Sequence, residues 1–377
     1  MTVAERIYDA STREDQATSR LAEKVARCIE DDIATRNLPA GDGLGSLRDL
    51  SRRYAVGMAA TREAAVLLER RGLGRLRPGP CGGFIVAVPK ARMIGAELAD
   101  YFRAMGVTRG QLAEAREAIE GLADEPAIQP LIDCLDRLAL DFAEAGVLYK
   151  WSSERTRAGL IASRLATEIA RETSPGQRLG SEWDLCERFG VGRATLRLAI
   201  RQLQDSGFVE CRRGRGNGLV VRNRRARGCI RLMLAYLIGN RVEVATAGKV
   251  LLQINRHTAA LAVGKANPEQ RRKLCSILAQ VEARDPFDRY DLLGLVHFIS
   301  QLAQSPVVDL VSRSLAAYEA RFHPSLRERL PARNQASYFR LIHRLLDKVP
   351  VDTSGDLAWA KGESERVMLE MSLSRPI

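Results

Sequence analysis

The sequence predicts a mainly α-helical protein with small β-hairpins, and three observations support this fold class. The 377-residue chain is 46% hydrophobic but only 5% aromatic, so its cores must consist mostly of Leu, Ala, Val and Ile. Such a mixture favours helix over sheet. Apolar residues also recur at helical spacing along most of the chain. Finally, one segment occurs twice in the same register, which indicates one structural unit used twice.

The repeated segment comprises residues 44–72 and 179–207, which align at an offset of 135 without a gap. The first copy reads LGSLRDLSRRYAVGMAATREAAVLLERRG, and the second reads LGSEWDLCERFGVGRATLRLAIRQLQDSG. Identical pairs include Leu44/Leu179, Ser46/Ser181, Asp49/Asp184, Leu50/Leu185, Val56/Val191, Arg62/Arg197, Leu68/Leu203 and Gly72/Gly207.

Each copy predicts a helix, a short helix, a turn, a longer helix and a β-hairpin. The stretches LGRLRPGPCGGFIVAV and FVECRRGRGNGLVVR each alternate around a Gly-rich cluster, which is typical of a hairpin. Gly72 ends the third helix of the first copy. The predicted helices cover about 19–36, 46–54 and 59–71 in the first copy, and about 156–172, 181–189 and 193–206 in the second.

The helical pattern continues outside the two copies, with breaks near several prolines in the last third of the chain. The predicted domains are a flexible N-terminus (1–18), a first repeat domain (19–90), a short helical segment (91–150), a second repeat domain (151–224) and a helical C-terminal domain (225–377).

Charge and cysteine usage narrow the class of protein. A net charge of +12 favours a polyanionic partner. Seven scattered cysteines without a CxxC pair argue against a disulfide framework and a structural zinc site, and they suit a reducing cytoplasm. The polar N-terminus has no apolar signal core, and the apolar run 229–239 is too short to span a bilayer. We therefore expect a cytoplasmic protein that does not enter a membrane.

Motifs of the common enzyme classes do not occur in the sequence. It has no nucleophile elbow, P-loop, dinucleotide fingerprint or HExxH. We therefore expect no enzymatic activity.

Each copy resembles the winged helix-turn-helix of the GntR family of bacterial transcription regulators. The second copy carries the resemblance through FGVGRATLRLAIRQLQDSGFVECRRGRGNG, and the first through GSLRDL and ATREAAVLLERRGL. The resemblance implies two winged helix-turn-helix domains with small β-wings, followed by an all-helical effector-binding and dimerisation domain. The segment REAIEGLADEPA (116–127) resembles the opening of that domain in the FadR subgroup, which suggests a tandem duplication with a truncated first half.

The second copy carries the residues that a DNA reader needs. The N-terminal turn of a recognition helix points into the major groove, where arginine reads guanine and threonine bonds a phosphate or packs on a thymine methyl. Glycine-flanked wing arginines suit phosphate or minor-groove contacts. The predicted DNA-binding residues of this copy are Arg193, Thr195 and Arg197 on the helix and Arg212, Arg213 and Arg215 in the wing.

The first copy departs from the family pattern at the recognition helix. Gly57, Met58, Ala59 and Ala60 stand where the family has Ser-Arg-x-Thr, whereas Arg48, Arg62 and Arg77 remain as candidate DNA contacts. Trp183 in the second copy replaces Arg48 of the first. Two alternatives stay open: the first copy binds DNA mainly through the backbone, or it has become a packing domain.

The resemblance also implies a small-molecule site in the C-terminal domain. FadR-like relatives often hold a metal there through one Asp and three His, and the metal helps to bind a small carboxylate. Of these four metal ligands, only two histidines are matched in this sequence, His297 and His343. Leu293 stands where the Asp is expected, and Glu365 stands where the third His is expected. We therefore predict no metal and no cofactor. The candidate effector-binding residues are His297, His343, Arg256 and Arg340.

The leading hypothesis is a sequence-specific regulator that binds double-stranded DNA and responds to a small, carboxylate-containing metabolite. A homodimer is slightly favoured over a monomeric pseudo-dimer, because the apolar helical domain is the usual interface. The alternative is a ligand-binding or protein-interaction module whose DNA readout has degenerated. Steep salt dependence of DNA binding would separate the two.

Overall fold

The computed structural model describes residues 21–77, 79, 82–123, 125–143, 156–211, 218–222, 226–283, 289–322 and 332–348. These residues are mainly helical and include two small antiparallel sheets, which confirms the predicted fold class at this level. They form two compact units. The repeat unit holds the described residues of Ser19–Arg109 and Glu125–Glu243, and the helical unit holds those of Gly110–Asp124 and Val244–Ile377.

The first copy of the repeat has three helices and three strands in the order helix, strand, helix, helix, strand, strand. Its sheet has the strand order β1-β3-β2, so the wing strands β2 and β3 are joined to a strand from before α2. The elements are α1 (Leu21–Thr35), β1 (Gly43–Gly45), α2 (Leu47–Arg53), α3 (Met58–Arg70), β2 (Gly74–Arg77) and β3 (Gly83–Val86).

Three α-helices of the described residues follow the first copy before the second copy begins. The next elements are α4 (Ala91–Ala104), α5 (Arg109–Glu117) and α6 (Gln129–Ala143). The second copy then repeats the element order of the first, and its sheet has the equivalent order β4-β6-β5. Its elements are α7 (Arg157–Glu172), β4 (Arg178–Gly180), α8 (Glu182–Phe189), α9 (Arg193–Asp205), β5 (Val209–Cys211) and β6 (Leu219–Val221).

The offset of 135 holds in the structure beyond the segment in which the sequences are obviously alike. Arg75 pairs with Ile85 in the first sheet, and Glu210 pairs with Val220 at the equivalent positions of the second. The helix after the second copy, α10 (Ala226–Gly239), begins and ends 135 residues after α4. Sequence comparison missed this extension, because the two helices share little besides their apolar pattern.

The same local chemistry begins the short middle helix in both copies. Ser46 and Ser181 are N-caps whose hydroxyls accept from the backbone N–H three residues later, and the aspartate there accepts from the N-cap N–H in return. This reciprocal capping satisfies two N–H groups that a helix start leaves without partners. The helices end differently: Gly190 closes α8 with φ 58°, whereas Ala55 takes the equivalent position with φ 51°.

Equivalent residues also form the cores of the two copies. Leu68 and Leu203 are fully buried on the longer helices, and Leu73 and Phe208 are buried at equivalent positions just before the wing. The longer helix of each copy is therefore anchored in a core, and its exposed residues lie toward its N-terminal end.

The helices α4, α6 and α10 pack in the repeat unit rather than as separate domains. Helix α4 packs against α6 and α10, and α10 also packs against α1. Leu98, Phe102, Met233 and Tyr236 are buried on these helices, so the helices share an apolar core with one another. The helices α4, α6 and α10 thus lie in one compact unit with the two copies, whereas residues 110–123 lie with the C-terminal helices, and the predicted domain borders stay a prediction.

The helical unit is built around the long helix α11 (Val244–Lys265), which packs against α13, α14 and α15. Its other helices are α12 (Pro268–Glu282), α13 (Arg289–Ala303), α14 (Pro306–Phe322) and α15 (Ala332–Lys348). Lys265 at the end of α11 donates to the Ala303 carbonyl (2.8 Å) and pairs with Glu114 (3.1 Å), which ties α5 to this unit. Within the described ranges, none of the helices is both long and apolar enough to cross a membrane.

Candidate nucleic-acid interface

Helix α9 is the element that carries the predicted DNA-binding residues of the second copy. Gly190 and Gly192 bracket the turn that separates it from α8, and α9 begins at Arg193. Arg193 and Arg197 are exposed and Thr195 is half-buried. The opposite face of α9 is buried in the core of the second copy through Leu196, Ala199 and Leu203. The helix therefore presents one polar face at its N-terminal end while the other face anchors it.

Side chains of α8 hold both arginines in place. The guanidinium of Arg193 lies 5.6 Å from the centre of the Trp183 ring, a distance at which the ring attracts a cation. The Nε of Arg197 donates to a carboxylate oxygen of Glu182 at 2.6 Å. This hydrogen bond and the negative charge of Glu182 raise the pKa of Arg197 above its ordinary value. Arg197 nevertheless remains 63% exposed, so another acceptor can replace Glu182.

The predicted DNA contacts of the first copy are exposed as well. Arg48 lies on α2, Arg62 on α3 and Arg77 on β2, and each is exposed. Arg62 occupies the position of Arg197. The position of Arg193 is taken by Met58, an apolar side chain that is 44% exposed. The N-terminal ends of the two longer helices thus differ in chemistry, because α3 begins with an apolar side chain and α9 begins with an arginine.

The predicted wing arginines Arg212, Arg213 and Arg215 lie outside the described residues. The strands on either side of them are described, and β5 pairs with β6 in antiparallel register from Val209↔Val221 to Cys211↔Leu219.

A cluster of buried charges joins the two copies, and sequence reasoning missed it. Arg71, which follows α3, donates through Nε to Asp205 at the end of α9 (3.0 Å) and through Nη1 to Glu30 of α1 (2.6 Å). Arg70 pairs with Glu97 of α4. These side chains are no more than 5% exposed. We call Glu30, Arg70, Arg71, Glu97, Asp205 and the neighbouring Arg231 the central ion cluster.

The charges of the central ion cluster stabilise one another. Burial by itself would raise the pKa of Asp205, but the guanidinium groups of Arg71 and Arg231 lower it to about 2. Burial by itself would lower the pKa of Arg71, yet Asp205 and Glu30 raise it above its ordinary value. The offset of 135 makes Arg70 and Asp205 equivalent positions of opposite charge, but it does not predict the cluster, whose members lie in or next to α1, α3, α4, α9 and α10.

A second contact joins the copies along the two longer helices, since α3 packs against α9. Arg201 of α9 donates through Nε to a carboxylate oxygen of Glu63 on α3 at 2.6 Å. Its side chain is 13% exposed and that of Glu63 is 25% exposed, so the pair is partly shielded from water.

The candidate effector-binding residues lie on three helices of the helical unit. Arg256 on α11 is half-buried, whereas His297 on α13 and Arg340 and His343 on α15 are exposed. His343 Nε2 lies 2.9 Å from a carboxylate oxygen of Glu282, and His297 Nε2 lies 3.1 Å from the side-chain amide of Gln301. In the part of the chain that the structure describes, no three His, Cys, Asp or Glu side chains are grouped so that they could hold a metal ion.

Comparison with known proteins identifies a family for the second copy. Residues 158–219 match the family of bacterial regulatory proteins known as the gntR family. The matched segment contains α8, the turn and α9, which are the elements of the candidate interface. The family resemblance predicted from the sequence is confirmed at this level.

Curated relatives have consistent descriptions. A putative HTH-type transcriptional regulator RmpR of Mycobacterium gastri is 31% identical over 180 residues, which is 48% of this chain and 57% of that protein. An uncharacterized HTH-type transcriptional regulator of Mycobacterium tuberculosis is 29% identical over 150 residues (37% and 59%). A probable transcriptional regulator PhnF of Escherichia coli is 39% identical over 71 residues (19% and 30%). The chain thus spans less than two thirds of the length of each relative, and each relative is described as a transcriptional regulator.

Proposed function

We propose that this chain, whose residues 158–219 match the gntR family, is a transcription regulator that reads double-stranded DNA with α9. The observation that carries the proposal is the exposed N-terminal end of α9, where Arg193 and Arg197 stand on a helix whose opposite face is locked in a core. A helix held in this way can enter the major groove without losing its own packing.

The proposed reading step exchanges one partner of each arginine for another. Arg197 leaves the Glu182 carboxylate and donates in a bidentate manner to guanine O6 and N7, which present acceptors in the same plane. Because the Arg197–Glu182 pair is solvent-exposed, little is lost when it opens. Arg193 leaves the face of Trp183 in the same way, and Thr195 contacts a phosphate or a thymine methyl. In the absence of DNA, Glu182 therefore pairs with Arg197 without burying it.

The remaining basic residues are proposed to position the protein on the DNA backbone. In the second copy these are the wing arginines Arg212, Arg213 and Arg215, and in the first copy Arg48, Arg62 and Arg77. Contacts of this kind supply affinity and register but carry no base information. A net charge of +12 supports them, because each neutralised phosphate releases counterions.

Regulation by a small metabolite is a further part of the proposal. In the FadR-like arrangement that the sequence resembles, the helical unit binds the effector. We propose a carboxylate-containing molecule as the effector, and the candidate residues that would bind it are Arg256, His297, Arg340 and His343. Such a ligand acts only through different affinities for two conformations of the protein. The proposed regulator acts in the cytoplasm, either as a homodimer formed through the helical unit or as a monomeric pseudo-dimer of the two copies.

A second candidate function is a ligand-binding or protein-interaction module that no longer reads DNA. Met58 and Ala60 at the start of α3 and Trp183 on α8 favour it, since each replaces a DNA-contacting residue of the family pattern. The two arginines of α9 oppose it.

Selection of bound sequences from random duplex DNA tests the proposal. The purified full chain at moderate salt should enrich one motif, and Arg197→Ala should weaken binding to that motif by about ten- to a hundredfold and relax one base position. Arg164→Ala is the matched control, because Arg164 is an exposed arginine on α7, outside the α8–turn–α9 segment. If the chain enriches no motif, or if both variants behave alike, the reading role of α9 is wrong.

A further inference from the structure

We propose that the two copies within one chain form an asymmetric pair that binds a single, non-palindromic DNA site. The arginine end of α9 contacts one half of the site, and the apolar end of α3 contacts the other half. This inference rests on the proposed function, and it adds that one chain is the DNA-binding unit and that the two half-sites differ.

The contacts between the copies are reciprocal, as in a two-fold symmetric dimer. Arg70 donates to the Ser206 hydroxyl at 2.7 Å, and Arg71 pairs with Asp205. At the offset of 135, position 70 corresponds to 205 and position 71 to 206. Each of the two contacts is therefore the image of the other, with the roles of the copies exchanged. Such reciprocity defines an isologous interface, in which the same surface patch is used on both sides.

The chemistry of the interface, however, suits only a first copy paired with a second copy. If two first copies paired in this way, Arg70 of one would face Arg71 of the other and two pairs of buried cations would meet. If two second copies paired, Asp205 would face the Ser206 hydroxyl and lose Arg71, which would leave Arg231 to balance its buried charge. Buried like charges and unpaired charges cost several kcal/mol, so the interface discriminates against both alternatives.

The contact along the longer helices has the same asymmetry. Arg201 of α9 pairs with Glu63 of α3. The image positions are Leu198 and Val66, which are apolar, so this ion pair forms on one side of the interface only. Both contacts therefore bring together α3 and α9 of one chain, with no need for a second chain.

The two helix ends differ in what they offer to a base pair. Arg193 and Thr195 at the start of α9 are donors that suit guanine and phosphate. Met58 and Ala60 take the same positions on α3, and Met58 is 44% exposed although it is apolar. Apolar side chains in the major groove contact the thymine methyl group. We therefore infer a guanine-containing half-site under α9 and a thymine-containing half-site under α3.

The test measures the stoichiometry and symmetry of the complex with the full chain. A labelled duplex with one copy of the enriched motif is titrated with protein well above the dissociation constant. We expect saturation at one chain per duplex and a motif with unlike halves. A duplex in which the α3 half is replaced by an inverted α9 half should bind at least about tenfold more weakly.

A variant with a changed α3 end completes the test. Met58→Arg combined with Ala60→Thr gives α3 the side chains of α9, and it should shift the preference toward the duplex with two guanine-containing halves. Position 58 is exposed, and circular dichroism checks that the variant is folded. Two chains per duplex, a palindromic motif, or an unchanged preference of the variant would each overturn the inference while leaving DNA reading by α9 intact. Failure of the chain to enrich any motif overturns both proposals.

Discussion

Replacement of Asp205 by asparagine probes the contact that joins the two copies. The change keeps the shape of the side chain but removes its charge, so it creates no cavity. Asp205 accepts from Arg71 Nε and from Arg231 Nη1, each at 3.0 Å, and its side chain is 5% exposed. In the variant, a buried guanidinium faces an uncharged amide. The remaining carboxylates of the central ion cluster must then balance the positive charges of its arginines alone.

Two independent routes give the size of the effect. Breaking a buried ion pair by removing one partner costs about 3–5 kcal/mol. Glu30 still pairs with Arg71 and Glu23 with Arg231, which favours the lower end. The shift in the pKa of Asp205 to about 2 corresponds, through linkage, to about 2–3 kcal/mol of stability at neutral pH. We therefore expect Asp205→Asn to cost about 3 kcal/mol.

Urea unfolding followed by circular dichroism measures this cost, with Glu168→Gln as the matched control. Glu168 pairs with Arg188 at 2.7 Å, but the two side chains are 25% and 48% exposed. An exposed pair contributes less than about 1 kcal/mol, so the control should unfold nearly as the natural chain does. If Asp205→Asn costs no more than Glu168→Gln, the central ion cluster does not hold the copies together, and the reasoning is refuted.

Three further predictions concern pH, a turn and the reading arginine. Because folding lowers the pKa of Asp205, its contribution to stability is complete above about pH 4 and is lost as the pH falls toward about 2. The free energy of unfolding of the natural chain should therefore exceed that of Asp205→Asn at neutral pH, and the difference should disappear in acid. Ala55 has φ 51°, a conformation that glycine adopts more easily, so Ala55→Gly should raise the free energy of urea unfolding by up to about 1 kcal/mol. Gly190 has φ 58°, so Gly190→Ala should lower this free energy by a similar amount. Changes of the same sign in the two variants would contradict this account. Glu182→Gln should raise affinity for the enriched duplex several-fold in an anisotropy titration, since it frees Arg197 and removes a negative charge near the phosphates, and a weaker complex would argue against the proposed exchange.

The local structure of each copy could be predicted because it depends on short-range chemistry. The capping residues Ser46 and Ser181, the glycine at 190 and the apolar spacing of α9 each have a direct structural meaning. The predicted third helices at about 59–71 and 193–206 lie within one residue of the observed α3 and α9 at each end. The exposure of Arg193 and Arg197 follows from the same spacing.

The packing between elements distant in sequence could not be predicted from such patterns. Arg70 and Asp205 are charged residues at helix ends, where such residues are normally exposed to solvent. They are buried because the two copies pack against each other. The packing of α4 and α10 against the copies could not be predicted either, because an apolar helix face does not indicate which element covers it. The candidate effector residues lie on three separate helices, and their spacing in the sequence does not predict whether they form a site.

The specificity ratio of DNA binding tests the central claim, that α9 reads sequence, most directly. The dissociation constants of the full chain are measured by fluorescence anisotropy on the enriched duplex and on a scrambled duplex of the same composition, at the same moderate salt. We predict binding to the enriched duplex that is about a thousandfold tighter, with most of this ratio lost in Arg197→Ala. Equal dissociation constants on the two duplexes would mean that the chain binds only the charge of DNA, and the claim would be wrong.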